Sequence, residues 1–136
     1  MITVELAKRL RSAGLSWSPG PGDRFVIADR GMDDEVFVVS ELTIDVHDAP
    51  TGRLFRFNGT TEWALDSVEQ EAVVWLPRED QLRAALGERF RRLEPVGPPG
   101  SSGFAVVVEV GGQVQRHVDV DAERAYARAV LAVRAA

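Results

Sequence analysis

The chain has 136 residues, 45% hydrophobic and 27% charged, the size and composition of one soluble globular domain covering 1–136. It has no cysteine, which excludes disulfides, thiol catalysis and Cys-ligated zinc. The net charge is −5, and residues 29–71 carry eleven Asp and Glu against three Arg; an acidic middle argues against nucleic-acid binding, which draws its affinity from basic charge on phosphates.

No apolar run approaches the roughly 20 residues that span a bilayer. The opening Met1-Ile-Thr-Val-Glu-Leu-Ala-Lys-Arg-Leu10 is amphipathic and lacks the apolar core of a signal peptide. The expectation is a cytoplasmic protein with no membrane insertion.

In chain order, Thr3 is placed to cap a first helix with Leu6, Leu10 and Ala13 on one stripe and Gly14 as its stop. Ser18-Pro-Gly-Pro-Gly22 is a loop of strong breakers. Arg24 to Ala28 reads as a strand. Glu35 to Ser40 is apolar on both faces, which predicts a central strand.

Leu42 to Asp48 alternates, with Leu42, Ile44 and Val46 opposite in sense to Thr43, Asp45 and His47. Ala49-Pro-Thr-Gly52 is a turn, and Arg53 to Asn58 returns. Pairing Ala49 with Gly52 sets Val46 against Phe55, Ile44 against Phe57, Asp45 against Arg56 and His47 against Leu54. A slip of one residue sets Val46 against Arg56 and mixes the faces, so the first register is predicted.

Glu71 to Leu76 contains a strand. Pro77 is expected to open a helix, with Glu79 and Asp80 at its positive end and Leu82, Leu86 and Phe90 on one face. Arg83, Arg89, Arg91 and Arg92 are then a basic patch near its end. Gly97 to Gly103 is a loop. Phe104–Val110 and Val114–Val120 form a hairpin about Gly111-Gly112. Asp121 caps a last helix with Ala122, Ala125, Tyr126, Ala129, Val130 and Val133 in helical period. The predicted fold is α+β: an antiparallel sheet of about six strands in two hairpin-containing groups, with three helices packed on it.

Candidate chemistry centres on the acidic middle. Asp45 and His47 share a strand face, with Asp33, Asp34 and Asp48 close in sequence, and imidazole with carboxylates can hold Zn²⁺ or Mn²⁺. Against that, the predicted register pairs Asp45 with Arg56, so no metal site is assigned. Glu62 and Asp66 are four residues apart and share a face if that stretch is helical. Trp63 beside them would desolvate a carboxylate and raise its pKa, as a general acid needs. Asn58-Gly-Thr-Thr61 has the chemistry of a tight turn or of a small anion nest. There is no Gly-x-Ser-x-Gly, no P-loop and no Gly-x-Gly-x-x-Gly, and the single lysine is Lys8. No catalytic residue and no cofactor is assigned.

The runs Gly22-Asp-Arg-Phe-Val-Ile-Ala-Asp-Arg30, Met32-Asp-Asp-Glu-Val-Phe-Val-Val-Ser40, Thr43-Ile-Asp-Val-His-Asp48, Phe57-Asn-Gly-Thr-Thr-Glu-Trp-Ala-Leu-Asp-Ser-Val68 and Trp75-Leu-Pro-Arg-Glu-Asp-Gln-Leu-Arg83 resemble a family of short, functionally uncharacterised actinobacterial proteins. Some of its members carry a pilus-assembly label. The resemblance covers roughly Leu10 to Ala132. It implies an independently folded bacterial domain and adds no catalytic residues.

The function expected from these readings is a non-enzymatic cytoplasmic binding or regulatory module. It would contact a protein partner, or a second copy of itself, through an acidic surface carrying Asp45, His47, Asn58, Glu62, Trp63 and Asp66. The alternative is a small metal- or carboxylate-dependent hydrolase, or a small-ligand binder, with a pocket near Trp63.

Overall fold

The structure is a computed structural model of the chain and describes residues 1–28, 32–39, 44–49, 52–57, 67–69 and 72–136. Its elements are α1 (Val4–Ser12), β1 (Arg24–Ile27), β2 (Met32–Val38), β3 (Ile44–Ala49), β4 (Gly52–Phe57), β5 (Ser67–Glu69), β6 (Val73–Leu76), α2 (Glu79–Leu86), β7 (Phe90–Pro95), β8 (Phe104–Val110), β9 (Gln113–Asp119) and α3 (Ala122–Ala135). The class is α+β with three helices, as expected. Among the described residues the strands number nine, in three antiparallel sheets of order β2-β1-β6, β3-β4-β5 and β7-β8-β9. They fall into two compact units: a terminal unit of Met1–Ser16 with Pro77–Ala136, and a central unit of Trp17–Leu76.

In the terminal unit the helix ends follow the local chemistry of the sequence. Thr3 Oγ1 accepts from the Leu6 N–H at 3.1 Å, and Gly14, at φ 88°, follows the helix that buries Leu6 and Leu10. Asp121 accepts from the Arg124 N–H at 3.0 Å and opens α3, which buries Ala125, Tyr126, Ala129, Val130 and Val133. That stripe lies on β8 and β9, and α1 and α2 pack against α3. The two-residue turn Gly111-Gly112 has φ of 58° and 80°, the doubly left-handed geometry of a type I′ hairpin that only glycine adopts cheaply.

The α2 region departs from expectation. Pro77 stands outside the helix, whose N-cap is Arg78, and the Gln81 side chain accepts from the Arg78 N–H at 2.9 Å. Glu79 and Asp80 do occupy the first turn. The helix stops at Gly87, and after a 3-10 turn over Gly87–Arg89 the chain enters β7, paired with β8. Arg91 and Arg92 therefore do not extend a helical basic patch. They sit on a strand and are paired within the chain, Arg91 with Glu109 at 3.0 Å and Arg92 with Glu94 at 2.8 Å. Arg83 lies 4.4 Å from the Phe90 ring centroid, a cation–π contact. Helical period in Leu82, Leu86 and Phe90 is overridden by backbone pairing to β8, whose residues Ala105 to Val108 are fully buried.

In the central unit β1 is the middle strand of its sheet, with Phe25, Val26 and Ile27 buried. The expectation that Glu35 to Ser40 is central is corrected: β2 is an edge among the described strands, and Val36 and Val38 are 40% and 54% exposed. An apolar run of this length does not by itself say which side of a sheet it flanks. The β3–β4 hairpin has the predicted register, with Ile44 opposite Phe57, Asp45 opposite Arg56, Val46 opposite Phe55, His47 opposite Leu54 and Ala49 opposite Gly52.

Candidate functional site

Of the six residues singled out from the sequence, Asp45 and His47 lie on β3 with one residue between them, opposite Arg56 and Leu54 of β4. Asn58, Glu62, Trp63 and Asp66 lie outside the described residues. Charge, in contrast, sorts by unit. The central unit holds twelve Asp and Glu against four Arg, a net charge of −8, whereas the terminal unit holds nine against twelve Lys and Arg, a net charge of +3. The acidic middle of the sequence is thus the acidic unit of the fold, and all six candidate residues belong to it.

The core of that unit is aromatic. Phe25, Ile27, Val39 and Val73 are buried, with Trp17, Phe37 and Ala72 packed on them. The rings of Trp17 and Trp75 stack at 6.0 Å with 5° between planes, and Phe25 stands 6.0 Å from Trp17 and 5.5 Å from Phe37. One carboxylate organises the approach to this cluster. Asp23, 5% exposed, accepts from Trp17 Nε1 at 2.8 Å and from the Gly20 N–H at 3.0 Å, both at Oδ2. Two backbone bonds tie the same turn to the end of β2: the Gly22 N–H donates to the Val39 carbonyl, and the Val39 N–H to the Asp23 carbonyl, each at 2.8 Å. The breaker run Ser18–Gly22 is therefore pinned in place. The signal for it was an Asp three residues after a glycine in a Pro-Gly turn, where a side chain can bond back to the chain.

The two stacked indoles differ in one respect. Trp17 Nε1 donates to Asp23, whereas Trp75 Nε1 is buried with no hydrogen-bond partner among the described residues. Leaving a buried donor unmade costs about 1–3 kcal/mol, and a bond to a charged acceptor contributes about 1.5–3 kcal/mol. Trp17→Phe is thus expected to destabilise the protein by about 2 kcal/mol, and Trp75→Phe to stay within about 1 kcal/mol of the parent. Urea unfolding followed by circular dichroism tests the contrast, and equal losses would contradict it.

The terminal unit has a shallow, open depression of about 390 Å³ lined by Glu79, Asp80, Arg83 and Tyr126. Burial, with Glu79 second, pushes the Tyr126 hydroxyl above its usual range. The ring of Tyr126 stacks on Phe90 at 5.7 Å, which makes it part of the helix–sheet packing. Among the described residues no three His, Cys, Asp or Glu side chains come together as a metal site, and no helix is long and apolar enough to cross a membrane.

Comparison with family models, with curated proteins and with solved structures finds no match to this chain.

Proposed function

We propose that the protein is a non-enzymatic binding or regulatory module of the cytoplasm, whose acidic central unit receives a basic protein partner. The observation that carries the reading is the division of charge, −8 on the central unit against +3 on the rest. A field of one sign over one folded unit steers oppositely charged partners and repels nucleic acid. The contact surface in this reading carries Asp45 and His47 on β3, with Asn58, Glu62, Trp63 and Asp66 following in sequence.

The double charge reversal Asp45→Arg with Glu62→Arg changes this unit from −8 to −4. Its expected effect is at least a tenfold rise in the Kd of the partner captured from the parent cells, with a steeper loss of binding in salt for the unmodified protein. A Kd and a salt dependence left unchanged by the double variant would overturn the reading. Metal analysis of the purified protein, with assay of Glu62→Gln, separates it from a metal- or carboxylate-dependent hydrolase near Trp63. That alternative requires stoichiometric metal, or an activity that the variant abolishes.

A further inference from the structure

The two edges of the β7-β8-β9 sheet are built differently. β7 is bulged between Phe90 and Arg92, carries Arg91, Arg92 and Glu94, and ends in Pro95. Bulges, charges and proline are the devices that keep a sheet edge from accepting another strand. β9 has none of these except Arg116 and its terminal Asp119. It runs seven residues in unbroken register with β8, from Val110 opposite Gln113 to Phe104 opposite Asp119. Val114 and Val118 on it are 65% and 47% exposed, and Val120 beyond it is 61% exposed.

The hairpin decides which backbone groups point outward. Residues flanking a two-residue type I′ turn exchange both N–H···O bonds, and such pairs alternate along the ladder. Gln113, Gln115, His117 and Asp119 therefore bond to β8. The N–H and C=O groups of Val114, Arg116 and Val118 point away from it. Among the described residues β9 pairs with β8 alone, and this outer row is a complete template for one more antiparallel strand.

We propose that the occupant is β9 of a second copy, paired about a two-fold axis at Arg116. The strand is self-complementary in that register. Val114 of each copy falls opposite Val118 of the other, which makes two pairs of exposed valines on one face, one on each side of the central Arg116 pair. On the other face Gln115 falls opposite His117, the residue type it already bonds within its own chain at 3.1 Å, and Gln113 falls opposite Asp119, whose carboxylate stays on Arg124 and Arg128. The two Arg116 residues are the only like charges brought together, about 5.5 Å apart at Cα. Their guanidinium groups are already drawn elsewhere. Arg116 Nε donates to Glu94 Oε1 at 3.0 Å, and Glu94 lies on β7, two strands away from the open edge. Each arginine is thus neutralised and turned away from the axis before the copies meet.

The test is the mass of the intact protein by light scattering, with three variants at exposed positions. The unmodified chain is expected at twice 14.9 kDa. Val118→Pro removes one outward N–H, a change an edge strand tolerates, and is expected to give the single mass with unchanged circular dichroism. Val114→Lys alone should also give the single mass. Adding Val118→Glu to it should restore the double mass, because residue 114 of one copy faces residue 118 of the other. A single mass for the unmodified chain overturns the proposal, whatever other strand binds there. So does a double mass that survives Val118→Pro, or a Lys–Glu double variant that stays single. None of these readings depends on Asp45 or Glu62, so failure here leaves the acidic-surface reading to its own test.

Discussion

Replacing Phe25 by alanine is expected to unfold the central unit or leave it barely stable. Phe25 is fully buried and touches both ring systems that hold this unit together, Trp17 at 6.0 Å and Phe37 at 5.5 Å. Its backbone sits on the middle strand, opposite Phe37 on one side and Trp75 on the other. Truncating a buried phenylalanine costs about 3–5 kcal/mol, the lost transfer term plus the cavity. A unit of this length holds about 3–9 kcal/mol in total at ordinary stability per residue. The loss therefore takes from about a third to all of what is available. The measurement is direct, because all three tryptophans, Trp17, Trp63 and Trp75, belong to the central unit, whereas the three helices among the described residues belong to the terminal one. Tryptophan fluorescence reads the first and the helical circular dichroism signal the second. A fluorescence midpoint in urea that does not fall would show that the aromatic cluster is not the core described here.

The second large effect is expected at Asp119, where β9 meets α3. Its side chain is 8% exposed and lies 3.1 Å from Arg124 Nε and 2.9 Å from Arg128 Nε, and it accepts from the Asp121 N–H at 3.1 Å. Burial works against the charged form. The hydrogen bond from Arg128, that from Asp121 and the two guanidinium charges outweigh it, so the carboxyl sits below the usual carboxylate range. Asp119→Asn can serve one arginine but not both and is expected to cost about 2 kcal/mol at neutral pH. Both arginines are partly exposed, which keeps the loss below that of a fully buried pair.

The sign of the pH dependence follows from the lowered pKa. The folded chain binds the Asp119 proton less readily than the unfolded chain does, so the stabilisation is complete above the ordinary value of 3.8. It is lost as pH falls through the folded value. Thermal unfolding by circular dichroism should therefore show a deficit for Asp119→Asn at neutral pH that closes in strong acid. A deficit that persists unchanged there would contradict the ion-pair account. His117, whose pKa burial lowers, contributes with the same sign in a higher window, below its ordinary 6.5. His117→Gln separates the two.

Much of the fold is legible from short stretches. Alternation from Ile44 to Asp48 and a turn at Pro50 to Gly52 sufficed for the β3–β4 register, because a slip of one residue would have mixed apolar and charged partners. Thr3 and Asp121 declared their helix starts by their own side chains. The end of α2 was not legible, because Leu82, Leu86 and Phe90 keep helical spacing while Phe90 is in fact committed to β8. The role of Asp23 was likewise hidden, since its partner Trp17 lies six residues away and the stack it supports joins residues 17 and 75.

Of the candidate site, the sequence by itself determined the acidic character of the middle of the chain and the residue types at Asp45 and His47. It also excluded thiol, P-loop and Cys-zinc chemistry, since those depend on which residues are present at all. Only the tertiary structure decided that the acidic residues belong to one compact unit and the basic excess to another. It also decided that Arg91 and Arg92 are occupied by Glu109 and Glu94, and that Arg116 turns from the open edge of β9 towards Glu94. The physical reason is range. Caps, turns and periodicity are settled among residues a few positions apart, whereas ion pairs across strands and the choice of edge strand depend on backbone pairings between distant segments.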